Sequence, residues 1–178
     1  RNFGYKVITK AVRWYYDDET RYGKANVDLD MAVDMLIQAK NLDKIFLLTG
    51  DGDFMKVVQA VQNMGVRVEI IAFKNISQNL IFESDYFTSG YLIPNLIPIP
   101  DQDAEYWGQP DFRVRAVVYA VNEGYGFLRY MDFDFNLREV VFHFSELPPN
   151  TYANLDDVYE CTLTETPRGI QARELDHP

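Results

Sequence analysis

The stretch LLTGDGDFMKVV, residues 47–58, joins an apolar run to an amphipathic pattern through two glycines and two aspartates. The apolar run, KIFLL in full, is typical of a short buried strand. After the aspartates, apolar residues recur at the three- and four-residue spacing of a helix, namely Phe54, Val57, Val58 and Val61. Asp51 and Asp53 therefore lie where a strand ends and a helix begins. Because like charges this close oppose each other's ionisation, the pair favours either a helix cap or half of a metal site.

Strands and helices alternate on both sides of this stretch. YKVITKAVRWYY (residues 5–16) and VRVEIIAF (66–73) favour strands, and DDETRYGK (17–24) favours a polar loop. Residues 27–41 have a helical period, Gly65 ends the helix that begins near Phe54, and ISQNLIFESDYF (76–87) favours a third helix. This alternation predicts βαβ units, and therefore an α/β domain with a mostly parallel sheet.

The composition changes near Pro98. Residues 97–111 contain three of the eight prolines and no helical period, so we predict a linker between a first domain, residues 1–96, and a second, residues 112–178. Beyond the linker come short strand candidates separated by turn residues: FRVRAVVYAV, YGFLRYM, EVVFHFS and VYECTLTE. Four or five such strands in so short a segment predict a small all-β barrel.

The bulk composition narrows the classes of function. Cys161 is the only cysteine, which excludes an internal disulfide and a multi-cysteine zinc site. No apolar run is long enough to cross a membrane, and no signal peptide is visible, so we expect a cytoplasmic protein without a membrane partner. A net charge of −10 argues against nucleic acid, because phosphates need Lys and Arg. A divalent metal held on carboxylates would reconcile this acidity with such a substrate.

Asp28 strengthens the metal hypothesis for the two aspartates. At about 100° per residue, it falls within the apolar arc of its helix, whereas Asp30 and Asp34 fall on the solvated side. Its carboxylate would point at the sheet edge where ligands of open α/β sheets bind; the alternative is a helix N-cap. A calcium loop starting at Asp51 would need glycine and glutamate where Lys56 and Gln62 stand, so that motif is excluded.

Three blocks of the first domain resemble the NYN domain of the LabA-like type, a relative of PIN-domain ribonucleases. They are K-x-x-V-D at residues 24–28, [ST]-G-D-x-D-F at 49–54 and S-x-x-L-x-x-x-[AS]-D-x-F at 77–87. The resemblance implies a Rossmann-like three-layer fold and Mg²⁺- or Mn²⁺-dependent cleavage of RNA. The family's first strand ends in an aspartate followed by an asparagine and has no counterpart in these residues, and the loop between residues 16 and 24 is short. Either that strand precedes this chain or the site lacks a ligand.

Carried over by motif, the metal site would consist of Asp28, Asp51, Asp53 and Asp85. Asp28, Asp51 and Asp53 would be catalytic: the first two would hold the metal directly or through water, and Asp53 would hold it or orient the attacking water. Carboxylates and waters suit hard cations such as Mg²⁺ and Mn²⁺. We expect the substrate phosphate to contact three further residues, Lys24, Thr49 and Ser77.

Glycines and aromatic residues alternate in VNEGYGFLRY, residues 121–130. Tyr125 and Phe127 would project from one face of a strand, either as core or as a stacking platform, and Gly124 and Gly126 would leave the strand bare around Tyr125. EGYGFLRY and EVVFHFS resemble the RNA-binding motifs of cold-shock domains, an OB-fold family. The resemblance implies a stacking face composed of Tyr119, Tyr125, Phe127, His143 and Phe144. The chain departs from the cold-shock motifs at three positions: Val118 and Val141 replace aromatic residues, and Glu123 replaces a lysine. Because two stacking rings and one positive charge are absent, we expect weak binding of single-stranded RNA.

Together these features predict a metal-dependent ribonuclease acting on single-stranded RNA, with a barrel that holds the substrate near the carboxylates. The alternative is a non-catalytic RNA-binding or regulatory protein with an incomplete nuclease site. A third interpretation treats both domains as protein-interaction modules. The apolar stretch YLIPNLIPI, residues 91–99, would pack against the barrel or form a homodimer interface.

Overall fold

The computed structural model describes residue 4 and residues 6–17, 20–24 and 27–178, with the backbone alone described for 13–17 and 20–24. The chain divides into two compact units, Arg1–Phe87 and Thr88–Pro178. In the described part of the chain, no helix has the length and apolarity needed to cross a membrane. The predicted fold class is confirmed: the first unit is an α/β domain with parallel strands, and the second contains a closed five-stranded barrel.

The first unit begins with an antiparallel hairpin and continues as alternating helices and strands. Its elements in chain order are β1 (Arg13–Asp17), β2 (Thr20–Lys24), α1 (Asp28–Gln38), β3 (Lys44–Leu48), α2 (Met55–Gln62), β4 (Arg67–Ala72), α3 (Gln78–Glu83) and the first half of β5 (Tyr86–Ser89). The predicted strand over residues 5–16 is wrong for residues 6–12, which are not in a strand, and residue 5 lies outside the described residues. The predicted polar loop instead supplies β2, because pairing with β1 satisfies its backbone hydrogen bonds.

The sheet of the first unit has the order β3-β4-β5. β3 and β4 are parallel, with Lys44 opposite Arg67 and Leu48 opposite Ile71, so the carboxyl ends of both strands lie at one edge of the sheet. The core of this unit is apolar throughout and includes Met35, Leu47, Phe54, Val58, Val61, Val68, Ile70 and Leu80. A short 3₁₀ turn, Gly52–Phe54, leads from the end of β3 into α2.

The predicted third helix is shorter than expected because Asp85 anchors the chain to β4. The helix ends at Glu83, and β5 begins at Tyr86. The Asp85 backbone N–H donates to the Val68 carbonyl (3.0 Å), and the Asp85 carboxylate accepts from the Val68 N–H (2.7 Å). These two hydrogen bonds tie residue 85 to the start of β4, and the β-forming residues that follow continue as a strand.

The second unit is built around a barrel of five strands. These are β6 (Arg113–Val121), β7 (Tyr125–Met131), β8 (Leu137–His143), β9 (Val158–Thr166) and β10 (Gly169–Asp176), closed in the order β10-β8-β7-β6-β9. The pairs are antiparallel except β10 with β8. Closure removes the unpaired edges that an open sheet would expose. Trp107, Phe142 and Tyr159 are among the side chains that fill the interior.

The segment before β6 packs onto this barrel. Ile99 and Trp107 belong to the barrel core, and the Trp107 Nε1–H donates to the Met131 carbonyl (2.8 Å). Arg115, only 4% exposed, donates to the carbonyls of residues 97 and 98 and pairs with Glu160. Of the two roles predicted for the apolar stretch 91–99, packing against the barrel therefore holds for Ile99. The predicted limits of the domains and linker stay a prediction.

Candidate functional site

An open cleft of about 730 Å³ lies beyond the carboxyl ends of β3 and β4 and is lined by residues 49–52 and 74–77. We call it the β3–β4 cleft. Its two walls touch: the Ser77 N–H donates to the Gly50 carbonyl (2.9 Å). A Cβ at Gly52 would lie 2.8 Å from the Ser77 hydroxyl oxygen, and one at Gly50 would lie 3.2 Å from the Asn75 carbonyl oxygen. Glycine at both positions therefore allows the two loops to approach this closely.

Asp51 lines the β3 side of this cleft and caps the turn that follows, in which Asp53 lies. One Asp51 carboxylate oxygen accepts from the Asp53 backbone N–H (2.9 Å), and the Asp51 N–H donates to the Thr49 hydroxyl (3.2 Å). The capping role that the sequence left open for Asp51 is thus present in the structure. Both carboxylates are exposed to solvent, which leaves them accessible to a ligand.

The other predicted ligands belong to other elements of the first unit. Asp28 is the first residue of α1 and is half-buried, and the N-cap of that helix is Val27 rather than Asp28. The Asp85 carboxylate accepts from the N–H of Val68 near the amino end of β4, whereas the β3–β4 cleft lies beyond the carboxyl end. Lys24 belongs to β2, but its side chain lies outside the described residues.

The donor set can be tested against the divalent metal that the sequence predicts. Hard cations of this class are held by several oxygen ligands around one point. Within the described ranges, no group of three or more His, Cys, Asp and Glu side chains could hold a metal ion. Asp28, Asp51 and Asp53 therefore do not by themselves form such a site, and metal binding by these residues stays a prediction.

The β3–β4 cleft contains two residues that the sequence analysis missed. Lys74 and Asn75 come shortly after the end of β4 at Ala72 and line the cleft opposite Asp51. Their position after a buried parallel strand was a usable signal, because the carboxyl ends of such strands meet at the ligand-binding edge. Lys74 brings a positive charge to an edge that otherwise carries two carboxylates.

On the barrel, the outward positions of β7 and β8 form a row of cross-strand pairs. Tyr125 lies opposite His143, and Phe127 lies opposite Val141. The ring centroids of Tyr125 and Phe127 are 5.7 Å apart, and those of Phe127 and Tyr119 are 6.0 Å apart. We call Tyr119, Tyr125, Phe127 and His143 the aromatic face. The structure thus brings four of the five predicted stacking residues to one side of the barrel.

The fifth predicted residue, Phe144, packs against the barrel core beside Phe142, with ring centroids 6.0 Å apart. The stacking role of Phe144 stays a prediction, whereas the expectation about Gly126 is wrong. Gly126 is buried, and a Cβ there would lie 2.5 Å from the Phe142 ring. The glycine therefore makes room for Phe142 inside the barrel and does not leave the outer side of the strand bare.

A positive and a negative side chain border the aromatic face. The Arg129 guanidinium carbon lies 3.9 Å from the centroid of the Tyr119 ring. Arg129 also donates through Nε (3.0 Å) and Nη2 (2.8 Å) to one carboxylate oxygen of Glu139. A side-chain hydrogen bond between Tyr119 and Glu139 raises the pKa of the Tyr119 hydroxyl and lowers the pKa of the Glu139 carboxyl. The sequence analysis did not identify Glu139, because this arrangement depends on the register of β7 against β8.

The chain is similar to one protein family and to several known proteins. The family model described as NYN domain matches residues 1–96. The Low amplitude and bright protein LabA of Synechococcus elongatus is 28% identical over 74 residues, which cover 40% of each chain. A crystal structure of a protein of unknown function from Vibrio parahaemolyticus is 27% identical with a TM-score of 0.42, covering 49% of this chain and 54% of that one. The CSD456 structure of Drosophila Unr is 23% identical with a TM-score of 0.31, covering 38% and 27%.

The match to the NYN model extends over more than half of this chain, whereas the chain spans well under two thirds of each of these relatives. The chain therefore belongs to the NYN domain family, whose place among PIN-like nucleases indicates a nucleic-acid-related function.

Proposed function

We propose that this protein binds single-stranded RNA through the aromatic face of its barrel. The observation that carries the proposal is the adjacency of Tyr125, Phe127 and His143 on the outward side of β7 and β8. Tyr125 is 39% exposed, so part of its ring is available to a ligand. Every base has an aromatic face, and stacking on such rings is worth about 1–3 kcal/mol per base with little sequence preference. Unpaired RNA presents its bases in this way, whereas duplex RNA does not.

The acidity of the protein predicts weak binding with few phosphate contacts, and therefore a shallow dependence on salt. Phosphate contacts need Lys and Arg, and the chain has 17 of these against 27 Asp and Glu. Stacking would therefore supply most of the affinity. The few phosphate contacts would add to it mainly at low ionic strength, where they are strongest.

The test is fluorescence anisotropy of a labelled 12-nucleotide oligouridylate with the full chain at low salt. We expect Tyr125→Ala to weaken binding by about 5- to 150-fold, which corresponds to the loss of one stacked base. Tyr86→Ala is the matched control, because Tyr86 is an exposed tyrosine of β5 in the other unit. Equal affinity of the Tyr125 variant and the wild type, or no binding by the wild type, would refute the proposal.

Metal-dependent cleavage of single-stranded RNA is the second candidate function. PIN-like nucleases typically use divalent metals, and Asp51, Lys74 and Ser77 share the β3–β4 cleft here. Lys74 and the Ser77 hydroxyl suit a phosphate group, and the two exposed carboxylates suit Mg²⁺ or Mn²⁺. The described residues do not complete a metal site, so this candidate ranks second.

Cleavage is tested by incubating end-labelled RNA with the protein and Mn²⁺, Mg²⁺ or EDTA. If the second candidate is right, RNA is cut with metal, and cutting stops in EDTA and in Asp51→Asn. Asp43→Asn is the control, since Asp43 is an exposed aspartate just before β3, at the opposite end of that strand. RNA that stays intact under every condition leaves the non-catalytic binding protein as the function. Homodimerisation stays a separate prediction, which sedimentation velocity tests.

A further inference from the structure

We propose that Glu139 limits the affinity of the aromatic face for RNA by holding Arg129 across the ring of Tyr119. This inference rests on the proposed RNA-binding function and identifies the residue that sets its strength. Arg129 is the only arginine whose guanidinium the structure places over a ring of the aromatic face, in the part of the chain that is described. In the proposal, Arg129 could bind a phosphate, but its ion pair with Glu139 keeps it from doing so.

The geometry of the three side chains supports this role. Both Nε and Nη2 of Arg129 donate to the same Glu139 oxygen, at 3.0 and 2.8 Å. Arg129 and Glu139 are directly opposite each other on β7 and β8, so the backbone register keeps them together. The Glu139 carboxylate also raises the pKa of the Tyr119 hydroxyl. One carboxylate thus holds the cation beside the ring.

This arrangement removes two contacts from the aromatic face. The guanidinium covers one side of the Tyr119 ring at 3.9 Å, and a base cannot stack on that same side. The Arg129 charge is neutralised by Glu139, and a phosphate would have to compete with this ion pair. The remaining platform consists of Tyr125, Phe127 and His143, which suits a short single-stranded segment of about two or three bases.

The second arginine of the hairpin does not compensate for this loss. Arg138 donates through Nε to the Asp132 carboxylate at 2.7 Å. Asp132 also accepts from the backbone N–H groups of residues 134 and 136 and organises the turn between β7 and β8. Releasing Arg138 would therefore disturb the turn, whereas Glu139 has 53% of its side chain exposed and its carboxylate binds the Arg129 side chain. Glu139 is the position where a substitution can change the charge of the face alone.

The test uses two substitutions of Glu139 and measures the affinity for labelled oligouridylate by anisotropy over a range of salt concentrations. Glu139→Gln removes the charge and keeps the shape, and Glu139→Thr removes the acceptor and suits a strand. We expect each variant to bind roughly fivefold more tightly at low salt. We also expect log K to fall more steeply with log salt, by about 0.7, because one more phosphate is contacted on a single strand.

Two further variants separate a specific effect from a general change in charge. Glu165→Gln removes the same charge from β9, which borders β6 and β10 rather than β7 and β8, and we expect the salt slope to stay at the wild-type value. In the double variant with Arg129→Met and Glu139→Gln, the gain should disappear, because Arg129 is the residue that would contact the phosphate. A gain that survives loss of Arg129, or one that Glu165→Gln reproduces in full, overturns the inference.

The outcomes also separate this inference from the proposed function. If the wild type binds RNA and loses affinity in Tyr125→Ala, but the Glu139 variants bind no more tightly, only the inference fails. If the wild type does not bind and Glu139→Gln does, the inference is supported and the proposed function of the wild type is refuted. If no variant binds, both are refuted.

Discussion

Substitution of Asp85 distinguishes a structural anchor from a metal ligand. Its carboxylate accepts from the Val68 N–H (2.7 Å) and from the Gln62 side-chain amide (3.1 Å), and Val68 itself is fully buried. We therefore expect Asp85→Ala to loosen the start of β4 in the absence of any metal. Asp85→Asn should have a smaller effect, because the asparagine oxygen can still accept the Val68 N–H.

The magnitude follows from what each substitution removes. Alanine leaves a buried backbone donor without its carboxylate partner, which costs about 1–3 kcal/mol. Asparagine loses only the charge of a largely exposed group, which solvent screens, so we expect about 1 kcal/mol or less. Exchange of the Val68 amide with solvent deuterium in EDTA should then accelerate by about 5- to 150-fold in Asp85→Ala. Asp43→Ala is the control. Asp43 is also an exposed aspartate close to the start of β4, but it is its backbone carbonyl that accepts from the N–H of Arg67, the residue before Val68, and the substitution keeps that carbonyl.

The effect of Asp85 should also depend on pH. The hydrogen bond from Val68, followed by that from Gln62, lowers the pKa of Asp85 below its ordinary value. Such a group stabilises the fold fully above its unfolded pKa of about 3.9 and loses this contribution as the pH falls through the lower folded value. The wild type and Asp85→Asn should therefore differ at neutral pH and converge in strong acid. Unchanged Val68 exchange in EDTA, combined with a loss of Mn²⁺-dependent protection in Asp85→Ala, would show that the residue is a metal ligand.

Three further outcomes are expected from the barrel. Arg115→Leu should destabilise it by about 1–3 kcal/mol, because the carbonyls of residues 97 and 98 lose their donor, whereas Glu160 keeps its ion pair with Arg113; urea unfolding in a Trp14→Phe background, followed by Trp107 fluorescence, measures this. Gly126→Ala should cost about 1–3 kcal/mol by overpacking against Phe142, and the added substitution Phe142→Leu should restore part of the loss if that contact is the cause. Burial raises the pKa of the Cys161 thiol to about 12, so a thiol reagent at pH 8 should label it in urea and leave the native protein unlabelled.

The local sequence pattern was sufficient for the elements of the first unit that have a strong period. The apolar spacing of residues 27–41 predicted α1, and the run KIFLL followed by two glycines predicted β3 and the turn into α2. The position of Asp51 at the carboxyl end of β3 followed from the same pattern, because a parallel strand must end where its apolar run ends. The alternation of glycine and aromatic residues likewise predicted that Tyr125 and Phe127 share one face of a strand.

Long-range pairing decided the remaining features. Residues 84–87 continue a helical pattern in the sequence, yet two hydrogen bonds between Asp85 and Val68 begin β5 there. Gly126 has an inward role only because the closed barrel brings Phe142 against it. The period of a strand states which residues share a side, but the register with its neighbour determines which side chain lies opposite. For this reason the placement of Glu139 against Arg129 and Tyr119, which sets the charge of the aromatic face, follows from the tertiary structure alone.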